Sequence, residues 1–146
     1  MAASYLYIVG VDGSPPSRRA VDFAARHAAH SGGRLLLANI IHWSGYTPLS
    51  VEEAMTRPRD KKEEERQATE EVLEPLSQIA REQGIEAETF HTWGHPADRL
   101  KKLAHERGAE LIVVGRRGHS NLAEIILGSV SNSIAHISDI PVLIVP

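Results

Sequence analysis

Cysteine is absent from this chain, methionine and tryptophan occur twice each, and no apolar run approaches the length of a membrane helix. The first absence excludes a disulfide framework, a thiol nucleophile and thiolate zinc sites. The last argues against a bilayer-spanning helix, which needs roughly 18 consecutive apolar residues. Met1-Ala2-Ala3-Ser4-Tyr5 has no basic segment leading into a long apolar stretch, so no secretory leader is expected and a soluble, cytoplasmic protein is. A surplus of basic charge is missing too: the net charge is −3, with both signs mixed along the chain. That argues against nucleic acid as a partner, and any anion site has to be local.

What is present suits one domain spanning 1–146, with 42% hydrophobic residues to build a sizeable core. Residues 6–11 form an apolar run ended by Asp12-Gly13-Ser14, which predicts a buried first strand. Ser14 is placed to cap a helix with Pro15 at its first position, and Val21, Ala24, Ala25 and Ala28 give it an apolar stripe up to Gly32-Gly33. Residues 34–41 predict a second strand, and residues 42–58, with Gly45, Pro48 and Pro58, a long loop. Residues 59–83 read as a charged helix with Val72, Leu76, Ile79 and Ala80 inward, kinked or split near Glu74 because Pro75 crowds the Glu71 carbonyl.

A third strand is expected over residues 85–90, followed by a turn at Gly94-His95-Pro96 and a helix closed by Gly108. Residues 111–114 predict strand four, residues 129–137 a fourth helix with Val130, Ile134 and Ile137 inward, and residues 140–145 strand five. Strict strand–helix alternation implies an α/β fold: a parallel open sheet with right-handed crossovers and helices on both faces. In the order 3-2-1-4-5, strand order reverses between strands one and four, where open sheets bind ligands. Asp12 ends the first of these and Gly115 the second.

The stretch of residues 115–129, Gly-Arg-Arg-Gly-His-Ser-Asn-Leu-Ala-Glu-Ile-Ile-Leu-Gly-Ser, joins strand four to a helix. Gly115 and Gly118 leave the strand and Gly128-Ser129 opens the helix, so backbone amides can close on a negative group, a phosphate being the obvious one. The pattern is neither the P-loop, which needs Gly-Lys-Ser/Thr, nor the dinucleotide Gly-x-Gly-x-x-Gly.

Gly-x2-Gly-x9-Gly-Ser resembles the ATP-binding signature of the universal stress protein family, with the spacing complete, and the likeness runs over essentially the whole chain. The resemblance implies a Rossmann-like, adenine nucleotide alpha hydrolase-like sheet of five strands. It puts the family's aspartate after strand one on Asp12, near ribose or triphosphate and in reach of a divalent cation. The adenine contact, made by backbone near the end of strand two, falls on Ile40; many members have histidine where this chain has Asn39. The phosphate loop falls on Gly115, Gly118, Gly128 and Ser129, with Val130 and Ser131 adding donors. Family members also pair their last strand to dimerise, here Val142, Leu143, Ile144 and Val145, an apolar strand expected at a sheet edge.

A carboxylate beside a triphosphate repels it unless a metal ion or a ribose hydroxyl intervenes, so Asp12 argues for Mg²⁺ or Mn²⁺ with ATP. The bland reading of Asp12 is a turn aspartate. Arg116 and Arg117 stand between the first two glycines; adjacent side chains diverge, so at most one is expected at phosphate, the alternative being two solvated surface arginines. His119 and Ser120 neighbour the site without an assigned role. The eight histidines include the pairs His27/His30 and His91/His95, but zinc without cysteine needs three or four convergent ligands, and neither pair has them. The expected function is therefore regulatory ATP binding in a stress response by a homodimer. A slow ATPase or self-phosphorylating protein is the enzyme alternative, and a protein-interaction module without nucleotide is the third.

Overall fold

The computed structural model of the chain describes residues 5–42, 60–117 and 128–146. Strands β1 (Leu6–Gly10), β2 (Arg34–His42), β3 (Glu88–Gly94), β4 (Leu111–Gly115) and β5 (Val142–Val145) lie in one sheet in the order β3-β2-β1-β4-β5. Every neighbouring pair is parallel. The central strands are apolar at consecutive positions because both their faces are covered: Ile8, Val9, Ile112 and Val113 are completely buried.

One face is packed by helix α1 (Pro15–Ser31) and by a long helical segment running to Glu82; Ala20, Ala24, Ala28, Leu73, Leu76 and Ala80 close on Val9, Leu37 and Val113. The other is packed by α3 (Pro96–Arg107) and α4 (Ser129–Ile137), through Leu100, Leu103 and Ile134 against Ile8, Leu36 and Ile112. Fully burying a side chain such as Ile134 contributes about 1.5–3 kcal/mol, enough to anchor a short helix. Helix α1 starts on the Ser14 cap, whose Oγ accepts from the Ser17 amide, with Pro15 in its first turn, and ends at Gly32. Among the described residues no helix is long and apolar enough to cross a membrane.

Two local expectations change. Pro75 neither splits nor ends its helix. Residues 60–66 are α-helical, Gln67–Leu73 is π-helical, and α2 (Glu74–Glu82) continues the chain. The Glu74 amide donates to the Thr69 carbonyl, five residues back, and the Thr69 hydroxyl donates to the Glu65 carbonyl. The widened turns accommodate the proline ring where a regular α-turn would press it on the Glu71 carbonyl. On the solvated side Arg66 bonds Glu63, Glu70 and Glu71, and its guanidinium holds the Glu63 carboxyl below the usual carboxylate range.

The third strand covers Glu88–Gly94, not residues 85–90. Ile85 still belongs to the turn after α2, its amide donating to the Ala80 carbonyl, and it packs with Ala87 beneath the first face. The polar run His91-Thr92-Trp93 is paired with Asn39, Ile40 and Ile41. Apart from Gly94 the residues of this edge strand are exposed or half-buried, so it carries no apolar run that would announce it as a strand. The expected 42–58 loop, with Trp43, lies outside the described residues from position 43 onward.

Candidate functional site

Strand order reverses between β1 and β4, and at their carboxyl ends lies a crevice of about 220 Å³. Its floor is apolar: Gly10 from the end of β1 and Val11 just after it, Ala38 and Ile40 from β2, Val114 from β4, and Pro96 and Leu100 from the start of α3. Its polar groups come from the loops after β1 and β4, Asp12 and Arg117, and from the first turns of α1 and α4, Ser17, Ser129 and Ser131. An apolar slot with a few convergent polar groups at its mouth suits a flat ring carrying a charged substituent.

Asp12 is held by the first turn of α1. Its amide donates to Ser17 Oγ at 2.9 Å, and its Oδ1 accepts from the Ser14 amide at 2.9 Å. Asp12 is thus a turn residue that also lines the crevice. Ser17 was not among the expected site residues; as a second serine inside a helix start, it carries no signal of its own.

The two ends of the glycine stretch are tied together by Arg116. Its amide donates to the Val145 carbonyl at 2.7 Å, and its carbonyl accepts from the Gly128 amide at 2.7 Å and from Ser131 Oγ at 2.8 Å. Its side chain is exposed and does not line the crevice; Arg117, the next residue, does. The two adjacent side chains diverge, Arg116 toward solvent and Arg117 toward the crevice. Arg117 Nε is buried and has no hydrogen-bond partner among the described residues.

Gly115 is required by a neighbour within the protein. A Cβ there would stand 2.8 Å from Pro16 Cβ and 2.9 Å from the Pro16 carbonyl carbon, so the start of α1 packs directly on β4's last residue. Gly128 precedes α4 in an extended conformation, φ −69° and ψ 168°, and its amide is engaged by Arg116. The first intrahelical bond of α4 is from Asn132 N–H to the Gly128 carbonyl at 2.9 Å. The amides of Ser129, Val130 and Ser131 precede it, have no intrahelical acceptor, and give the crevice a helix N-terminus. Ser131 is buried, and its hydroxyl donates to the Arg116 and Gly128 carbonyls. Gly118 and His119 lie outside the described residues, as does Ser120.

Pro96, expected in the turn that opens α3, and Leu100 were not among the expected residues of the site. Both form its α3-side wall, because that helix leaves the edge of the sheet and crosses back over β1 and β4. Among the described residues no three His, Asp or Glu side chains group as metal ligands; His42 and His95 meet edge to face, with ring centroids 5.6 Å apart.

The same architecture recurs in known proteins. Universal stress protein YxiE of Bacillus subtilis (strain 168) is 35% identical over 142 residues, which is 94% of this chain and 96% of the relative. A universal stress protein crystallised in complex with cAMP is 33% identical, with a TM-score of 0.67, covering 99% of this chain and 98% of the other. UspA from Lactobacillus plantarum shares the fold at 18% identity, with a TM-score of 0.80 over 99% of this chain and 100% of its own. The model of the universal stress protein family matches residues 8–146. On the shared fold, the match over nearly the full length and this degree of identity, the chain belongs to the universal stress protein family.

Proposed function

We propose that this protein binds an adenine nucleotide in the β1/β4 crevice, with ATP and Mg²⁺ or Mn²⁺ as the working ligand, and that occupancy serves a regulatory role in a stress response. The observation that carries this reading is the convergence on one apolar slot of three first-turn amides of α4, the Arg117 guanidinium and the Asp12 carboxylate. In this reading the base lies along Ala38, Ile40 and Leu100 and the phosphates at the α4 N-terminus, with Gly118 and His119 as further proposed phosphate contacts. The relative crystallised with cAMP supports an adenine nucleotide and makes cyclic AMP the second ligand to titrate.

The metal fits the residues present. Mg²⁺ is held by one or two carboxylates together with phosphate oxygens and water, and Asp12 is a single carboxylate on the crevice wall. Bound there, the ion neutralises phosphate charge; Asp12 orients it, and the α4 amides hold the remaining phosphate oxygens. The reading is one of binding. Slow hydrolysis or self-phosphorylation gains nothing from Ser131, whose hydroxyl is buried and donated to two carbonyls. The protein acts in this reading as a cytoplasmic homodimer paired through β5.

Calorimetry with ATP tests it, using Asp12→Asn because an amide oxygen still accepts from Ser14. The parent is expected to bind ATP more tightly with Mg²⁺ than with EDTA. The variant is expected to lose about tenfold of that advantage, the 1.4 kcal/mol scale of one charge-assisted contact. Equal affinity with and without Mg²⁺ in both proteins removes the metal from the account, and no saturable heat with any adenine nucleotide removes the nucleotide.

A further inference from the structure

Among the described residues that line the crevice, one side chain is cationic, Arg117. The described arginines at 26, 34, 66, 81 and 107 form ion pairs with carboxylates; Arg117 is in none of these pairs. It is half-buried, it lines the crevice, and its Nε is sealed from solvent with no acceptor among the described residues. A buried guanidinium N–H without an acceptor is unfavourable, and native proteins rarely keep one outside a functional setting. The planar fork of five donors matches the oxygens of a phosphate, and Arg117 stands with Ser129 and Val130 around the same opening.

Resting on the nucleotide reading above, we propose that Arg117, and not Arg116, is the side chain that recognises the phosphate, and that its charge lets the crevice hold an adenine mononucleotide without a divalent cation. The physical ground is charge balance. Asp12 alone repels a phosphate and calls for a metal between them. A guanidinium in the same crevice offsets that repulsion for a single phosphate, which the fork and the α4 amides together can satisfy. A triphosphate reaches beyond them, and there the ion at Asp12 adds binding.

Calorimetric titration with AMP and with adenosine, each in EDTA and in Mg²⁺, separates the roles. The parent is expected to bind AMP equally in both media. Arg117→Gln should weaken AMP roughly 10- to 100-fold while leaving adenosine within about twofold, and Arg116→Gln should match the parent. Unchanged AMP affinity in Arg117→Gln, or the loss appearing in Arg116→Gln, overturns the assignment; strict dependence of AMP on Mg²⁺ in the parent overturns the metal-free claim. Where Arg117→Gln fails to fold, Arg117→Met, which keeps the apolar stem and removes the charge and the fork, decides: about tenfold or greater loss of AMP with adenosine retained supports the proposal, and parent-like AMP affinity refutes it. A parent protein that binds neither adenosine nor AMP sinks the nucleotide reading itself, an outcome distinct from binding that ignores Arg117.

Discussion

The hydroxyl of Ser131 faces into the protein, where it bridges the Arg116 and Gly128 carbonyls at 2.8 and 3.1 Å. Each of those carbonyls has a second donor, the Gly128 and Asn132 amides respectively. Ser131→Ala therefore strands no acceptor, and it is expected to cost about 1 kcal/mol of stability in denaturant unfolding, with only a few-fold loss of nucleotide affinity. A variant of unchanged stability and abolished binding would instead make Ser131 a direct ligand contact. Gly115 has the same lesson. Its place in the phosphate motif suggests room for a ligand, whereas its missing Cβ makes room for Pro16. The glycine pattern was legible in the sequence, but the reason for its first member depends on a residue 99 positions away and was not. The choice between Arg116 and Arg117 was hidden for a related reason: it is set by the backbone turn where Arg116 bonds to Val145 and Gly128.

At the scale of elements, β5 is the outer strand on the β4 side and bonds the sheet on one edge only. Arg116 N–H donates to the Val145 carbonyl and Ile112 N–H to the Pro141 carbonyl, so the alternate residues Val142 and Ile144 direct their backbone groups to the open edge. Pairing through that edge is the proposed dimer. Light scattering is expected to give about twice the 16.0 kDa chain mass. Ile144→Pro removes an outward amide while sparing the β4 ladder, and should shift the mass toward one chain with the circular dichroism retained. A parent mass of one chain, or a variant that stays dimeric, would contradict pairing at β5. Apolar runs identified β1, β2, β4 and β5 because those strands are covered by helices. β3 was misplaced because its residues are polar and largely exposed, and a kink or split was expected near Glu74 because pattern alone does not reveal the widened turns that take up Pro75.

For the whole molecule, alternation of strands and helices made a parallel sheet legible, whereas the order β3-β2-β1-β4-β5, which sets β1 beside β4, does not follow from alternation and entered as a supposition. The site is a product of that topology: Asp12, Ile40, Leu100, Arg117 and Ser129 come from five separate parts of the chain to one crevice. The direct test of the central claim is an amide chemical-shift titration of the isotopically labelled protein with ATP and Mg²⁺. Saturable shifts centred on Val11, Asp12, Ile40, Gly115, Arg117, Ser129 and Val130, with the far edge at Glu88 and Thr89 unmoved, are the predicted result. No saturable shift at millimolar ATP, or shifts gathered away from the β1/β4 crevice, would contradict it.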